Sequence, residues 1–277
     1  MAYKTVLTYV PSPEHVTRLF PVAEHVARSQ DAHVVGLHAM PAIRMYSGAE
    51  VPIPAEIYER QREVFRTQAQ ATETAFKDAA GKSGLRYDWR CKDQFEPDVA
   101  RVLVENACTS DLTVMEQDAP DPLDLGWDLA STVVIDSGRP VLLTPRDYKA
   151  AEFGKRVIVG WNGSREAARA AFDALPLLQA ADAVVILSVN PSSDDALGRF
   201  APGGALATAL DRHGVKAEVQ TVSSRSGSGE LLTQVEAHKA DLLVMGCYGH
   251  SRLREAVIGG ATRNVLNEMS VPVLMSH

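Results

Sequence analysis

Three short segments of this chain occur twice, in the same order. Asp111-Leu-Thr-Val-Met115 matches Asp241-Leu-Leu-Val-Met245, Arg139-Pro-Val-Leu-Leu-Thr144 resembles Ser270-Val-Pro-Val-Leu-Met275 with the prolines aligned, and Lys4-Thr-Val-Leu7 matches Lys155-Arg-Val-Ile158. An internal repeat restricts the fold more than any local propensity, because both copies must satisfy one architecture. The spacings between copies are 130, 132 and 151 residues, so the halves differ mainly by insertions. The first is longer in its middle, chiefly through residues 55–80. The expected organisation is two tandem domains, residues 1–147 and 154–277, joined by a short polar stretch.

Within each half, strand and helix patterns alternate. In the second half the strands are Val157–Gly160, Ala183–Val189, Val215–Val222, Leu242–Met245 and Val271–Met275, with helices over Ser164–Gln179, Leu206–Arg212, Glu230–His238 and Thr262–Glu268. The first half opens with strands at Thr5–Val10 and Ala32–His38. Ser12-Pro13-Glu14 supplies a capping hydroxyl, a proline at the first helical position and a first-turn carboxylate. Ala55–Lys82 reads as one long helix, with Gly81 its first glycine or proline. Short, nearly continuous apolar strands between amphipathic helices imply a parallel sheet covered on both faces. The fold class is α/β: two tandem doubly wound, Rossmann-like units, each with a mostly parallel five-stranded sheet.

Composition enters as a set of exclusions. The three cysteines, Cys91, Cys108 and Cys247, form no CxxC pair, which argues against a disulfide framework or a cysteine zinc site. No apolar run is long enough to span a membrane, and the N-terminal residues pass into a strand pattern without a signal-peptide core. A reduced, cytoplasmic protein is expected. The net charge of −7, with no dense basic run, argues against nucleic-acid binding.

The most informative segment follows the apolar run Leu242–Met245. Gly246 and Gly249 lie three residues apart, Gly259 follows after nine intervening residues, and the helix pattern starts just beyond Gly260. In open α/β sheets ligands bind beyond the carboxyl ends of the strands, where glycines let backbone N–H groups approach an anion and a helix N-terminus adds donors. Arg252, Arg254 and Arg263 outnumber Glu255 here, and Thr262 adds a hydroxyl. The pattern suits a phosphate, although it is neither GxGxxG nor a Walker loop. The matching segment of the first half contrasts with it. Glu116 to Asp136 holds six acids and no lysine or arginine. Two like charges about 4 Å apart repel by roughly 1 kcal/mol in water, so this half is expected to reject a triphosphate. Residues 1–150 carry a net −6 and the remainder −1.

Both halves resemble the universal stress protein family in its tandem form, whose fold is adenine nucleotide alpha hydrolase-like. The nucleotide-binding members of that family carry Gly-x2-Gly-x9-Gly-(Ser/Thr) between the fourth strand and the last helix. Gly246, Gly249 and Gly259 match in spacing, whereas Gly260 stands where the family has a hydroxyl residue. Val157-Ile-Val-Gly-Trp-Asn162-Gly163-Ser164 is similar to the family's first strand and turn, with Asn162 in place of an adenine-contacting Asp. The resemblance implies ATP or another adenine nucleotide, with or without Mg, bound in the second domain. Backbone groups at Gly246, Gly249, Gly259, Gly260 and Ala261 would meet the phosphates, with Thr262 and His250 nearby, and Asn162, Gly163 and Val189 would line the base and ribose pocket. It also implies a role in stress response and an internal pseudo-dimer formed through the last strands, with a further homodimer open. Two other readings stay open: a slow ATPase or phosphohydrolase, for which only His250 and Glu255 offer a base, and a nucleotide-free interaction protein.

Other features are weaker. Ser226-Gly-Ser-Gly229-Glu230 is a second anion nest or a flexible loop. Cys247 is read as partly exposed within the glycine segment. No Ser-His-Asp or Cys-His set and no H-x-x-x-H pattern can be assembled. The long helix is a solvated face laced with ion pairs, a cover for the first half's vacant site, or a partner-binding element.

Overall fold

The computed structural model describes residues 2–40, 55–91, 98–118, 129–146, 148–150, 152–190, 203–224, 229–248 and 260–277. They fall into two compact units, Tyr3–Met115 and Met1–Ala2 with Glu116–His277. The packing division therefore lies at the end of the first half's fourth strand, upstream of the polar stretch at which the repeat restarts.

The unit Tyr3–Met115 runs β1 (Thr5–Tyr9), α1 (Pro13–Gln30), β2 (His33–His38), α2 (Ala55–Ser83), β3 (Tyr87–Cys91), α3 (Val99–Ala107) and β4 (Leu112–Glu116), whose last residue crosses the division. Its strands are parallel in the order β3-β2-β1-β4. The other unit holds α4 (Leu129–Ser137), β5 (Val141–Thr144), β6 (Arg156–Gly160), α5 (Arg165–Asp173), α6 (Leu175–Leu178), β7 (Ala183–Val189), α7 (Gly204–Asp211), β8 (Ala217–Val222), α8 (Gly229–Ala237), β9 (Leu242–Gly246), α9 (Gly260–Glu268) and β10 (Val273–Ser276). Its strand order is β5-β10-β9-β6-β7-β8. All these pairs are parallel except β5 with β10, which run antiparallel with Val273 opposite Leu143 and Met275 opposite Val141. The architecture is mixed α/β with mostly parallel strands.

Burial explains the apolar pattern. Val6, Leu7, Leu112, Val114, Ile158, Val159, Leu242, Leu243 and Val244 are fully buried, because central strands are covered on both faces. The edge strands β3 and β8 alternate between exposed and half-buried residues, and there the apolar run gives way to charge.

The repeated aspartates have a common task. Asp111 Oδ2 accepts from the backbone N–H groups of Lys4 (2.8 Å) and Thr5 (2.9 Å). Asp241 accepts from those of Gly154 (3.1 Å), Lys155 (3.1 Å) and Arg156 (2.8 Å). Each carboxylate thus pins the chain as it enters its half's first strand, so the repeat preserves a backbone clamp.

Two local expectations are corrected. The helix expected over Ser164–Gln179 breaks into α5 and α6 at Ala174, next to Pro176, which has no N–H to continue the ladder. Ser12 does precede α1, but its hydroxyl makes no cap bond. It binds the Glu14 carboxylate at 2.6 Å and the ring of His15 at 2.8 Å.

Candidate functional site

In the order β8-β7-β6-β9-β10 the chain direction of strand succession reverses between β6 and β9. That reversal is where ligands settle in open α/β sheets, beyond the carboxyl ends of the strands. Gly160, the last residue of β6, pairs with Leu187 of β7 and Met245 of β9, so the ends of these three strands form one rim.

At the end of β6, the Trp161 N–H donates to the Leu187 carbonyl at 2.8 Å. Asn162 Oδ1 accepts from the Ser164 N–H at 3.1 Å, closing a turn in which Gly163 takes φ +75°. Ser164 Oγ then accepts from the Ala167 N–H at 3.1 Å and caps α5. The Asn162 side chain, expected to face a base, is thus partly engaged in its own turn while remaining exposed.

Val189 is half-buried at the end of β7. Beside it, Asn190 stands at φ +48° and ties β7 to β8, donating from Nδ2 to the Ser224 carbonyl (2.6 Å) and accepting the Ser224 N–H (2.8 Å). Ser188 is buried at 2 % exposure and its hydroxyl has no partner among the described residues. A buried hydroxyl without a partner carries a desolvation cost of about 1–3 kcal/mol.

Gly246 closes β9. A Cβ there would lie 2.3 Å from the Ala167 nitrogen and 2.4 Å from the Glu166 carbonyl carbon, so β9 and the first turn of α5 touch backbone to backbone. Cys247 is corrected by the structure. It is buried at 2 % exposure, its N–H donates to the Ser276 carbonyl at 3.0 Å, and its thiol packs on the same oxygen. Tyr248 follows at φ +59°, and its hydroxyl bonds that of Ser131.

Gly260, Ala261 and Thr262 begin α9, and Thr262 is buried at 3 % exposure. Since β9 and β10 are parallel, the intervening helix runs back along them and starts on the side where β9 ends. Gly249, His250 and Gly259 lie outside the described residues, as do Arg252, Arg254, Glu255 and Ser226.

Sequence reasoning missed two carboxylates. Glu166, in the first turn of α5, is buried at 3 % exposure. Burial pushes its carboxyl up, but hydrogen bonds from the Arg165 guanidinium, the backbone and the Ser164 hydroxyl outweigh that and hold it below the usual range. Asp118 Oδ2 accepts from the Ala130 N–H at 2.9 Å, so a side chain of the protein itself takes a donor at the start of α4. Its neighbour Gln117 donates to the Asn267 carbonyl at 3.1 Å and accepts the Arg146 N–H at 3.3 Å.

A family model described as the universal stress protein family matches residues 154–277. This domain belongs to the universal stress protein family. Universal stress protein Slr1230 of Synechocystis sp. is 31 % identical over 137 residues, covering 49 % of this chain and 46 % of that relative. The chain thus spans about half the length of that curated relative. Among solved structures, a universal stress protein from Archaeoglobus fulgidus DSM 4304 superposes with a TM-score of 0.72 at 14 % identity, covering 98 % of this chain and 97 % of that one. A functionally unknown protein, PA1789 of Pseudomonas aeruginosa PAO1, gives 0.59 at 15 % identity over 99 % and 92 %. At these identities the structural likeness establishes the fold alone. Among the described residues of the universal stress protein domain and the preceding half, no cluster of His, Cys, Asp and Glu is arranged to hold a metal, and no helix is long and apolar enough to cross a membrane.

Proposed function

We propose that the universal stress protein domain, residues 154–277, binds one adenine nucleotide, ATP or AMP, at the rim formed by β6, β7 and β9. The observation that carries this reading is the reversal of strand order between β6 and β9, with a glycine turn ending one strand and a backbone-to-backbone approach ending the other. Such a rim leaves main-chain groups, rather than bulky side chains, facing a ligand.

Asn162, Gly163 and Val189 line the base and ribose side, and the partnerless hydroxyl of Ser188 lies beside them in sequence. The phosphates meet backbone N–H groups between Gly246 and Ala261, including Gly249 and Gly259, with the start of α9 contributing its unpaired donors. His250 flanks this segment. Thr262, withdrawn into the core at 3 % exposure, plays a smaller part than its hydroxyl suggests. Magnesium, where it accompanies a triphosphate, is held by phosphate oxygens and water, with Glu255, which lies outside the described residues, the one carboxylate of the glycine segment. In the preceding half, Asp118 already holds a helix N-terminal donor with a carboxylate, and nucleotide is rejected there. Binding without sustained turnover fits a signalling role under stress in the cytoplasm, in a chain whose two repeats act as an internal pseudo-dimer.

The test is mass-spectrometric identification of small molecules released from natively purified protein. An adenine nucleotide at one per chain supports the reading. No bound nucleotide, together with no displaceable binding at millimolar ATP or AMP, refutes it.

A further inference from the structure

The glycine segment leaves β9 at Gly246–Tyr248 and ends at α9, and within the compact unit Glu116–His277 a residue of the preceding half is tied to each of these parts. Where the segment leaves β9, the Tyr248 hydroxyl bonds that of Ser131 on α4, a buried residue. At α9, the buried Gln117 donates from Nε2 to the Leu266 and Asn267 carbonyls, the second at 3.1 Å. These belong to the last turn of the helix, whose carbonyls have no partner inside it. Gln117 Oε1 accepts the Arg146 N–H at 3.3 Å, so both ends of the amide are held.

Comparing the two copies of the repeat shows that the fold does not demand these ties. The register that sets Asp111 against Asp241 sets Gln117 against Cys247 and Asp118 against Tyr248. The main chain does the same in both copies: the Gln117 N–H donates to the Thr144 carbonyl at 2.8 Å, and the Cys247 N–H to the Ser276 carbonyl at 3.0 Å. The side chains diverge. The Cys247 thiol stays on the Ser276 carbonyl of its own half, whereas Gln117 reaches α9 of the other. Asp118 holds the Ala130 N–H of its own half, whereas Tyr248 reaches Ser131 of the other. Tyr248 also stands at φ +59°, where glycine would sit at less cost but could not reach Ser131. Both departures act on the glycine segment: one fixes where it leaves β9, the other fixes the helix into which it runs.

We propose, on the reading that nucleotide phosphates meet this segment, that Tyr248 and Gln117 are positioning residues of the nucleotide site, so that the preceding half sets its affinity through two anchors. A backbone N–H binds a phosphate only when it points at it. Loss of an anchor spreads the segment over several orientations, and the apparent affinity falls with the fraction that stays competent.

The experiment pairs calorimetric titration of ATP and AMP with thermal unfolding, on the full chain. It compares wild type, Tyr248→Phe, Ser131→Ala, the double variant Tyr248→Phe/Ser131→Ala, and Gln117→Leu. For the tighter-binding nucleotide, Tyr248→Phe and Ser131→Ala each raise the Kd about fivefold, the ordinary worth of one hydrogen bond. The double variant also stays near about fivefold, because both substitutions cut the same bond. Gln117→Leu raises the Kd by at least as much; should it fail to fold, the Tyr248 and Ser131 variants decide. Affinity compares folded molecules only, so a bond that merely stabilises the fold lowers the melting temperature and leaves the Kd unchanged. A wild type that binds neither nucleotide refutes the nucleotide reading and this inference with it. A wild type that binds, with Tyr248→Phe and Ser131→Ala within about twofold of it, overturns this inference alone. So does a double variant whose losses multiply to about 25-fold, because the two groups then act separately.

Discussion

Replacing Gly246 by alanine is the sharpest probe of how the β6–β9 rim is built. The new Cβ would lie 2.3 Å from the Ala167 nitrogen, 2.4 Å from the Glu166 carbonyl carbon and 2.7 Å from its oxygen. All three are backbone atoms of the first turn of α5, so no side-chain rotation relieves the clash. The helix must move by about 1 Å relative to β9, which is packed on both faces. Overpacking a well-filled interior costs about 1–3 kcal/mol, and the rigid neighbours here put Gly246→Ala near the upper end, about 3 kcal/mol, or a factor of about 150 in the folding equilibrium. For a chain of this size the melting temperature should fall by about 6–12 °C. Gly163→Ala is the control. Its φ of +75° carries strain, but nothing lies within 4 Å of a Cβ there, so about 1 kcal/mol is expected. Urea unfolding followed by circular dichroism and by tryptophan fluorescence compares them. If Gly246→Ala stays within about 1 kcal/mol of wild type, or costs less than Gly163→Ala, the close approach of β9 to α5 is wrong.

Three further outcomes follow from the same geometry. Asp241→Ala strands the N–H groups of Gly154, Lys155 and Arg156 and should cost about 2–3 kcal/mol, with Asp111→Ala costing somewhat less because it serves two donors; urea midpoints check the order. Asp118→Ala removes the side-chain acceptor at the start of α4 and should cost about 1 kcal/mol by the same assay, while nucleotide affinity in the other half stays unchanged. Burial, and then the negative charge of Asp241, push the Tyr148 hydroxyl up to about 12. The folded state therefore keeps a proton that the unfolded state releases near pH 10, so this contribution is complete below pH 10 and lost as the pH rises towards 12. Discounted for partial exposure it amounts to about 1–2 kcal/mol, and Tyr148→Phe should flatten that part of the alkaline stability profile.

Much of the fold was legible because buried parallel strands leave an almost uninterrupted apolar run. Val184 to Leu187 and Leu242 to Met245 could be placed within a residue or two. The repeat was legible for a second reason: Asp111 and Asp241 are held by backbone donors whose positions the architecture preserves. What escaped detection depends on contacts distant in sequence. Nothing near Gly246 announces that the α5 backbone lies against it. Cys247 stands in a polar, glycine-rich context yet is covered by the end of β10. Ser12 has the composition of a helix cap, but the Glu14 carboxylate and the His15 ring compete for its hydroxyl. The acidity of 116–136 could be read as exclusion of phosphate, while the specific bond from Ala130 to Asp118 required the fold. Of the residues proposed for a nucleotide site, Val189 and Gly246 close β7 and β9, and Asn162 and Gly163 form the turn that follows β6.

The account stands or falls on a single nucleotide site in the 154–277 half. Calorimetric titration of ATP and AMP into the wild-type chain, into Gly249→Asp and into Asp118→Ala measures this directly. The account predicts one site per chain in wild type and in Asp118→Ala, and none in Gly249→Asp, which adds a carboxylate to the segment proposed to meet the phosphates. Two sites per chain, no site in wild type, or undiminished binding by Gly249→Asp would contradict it.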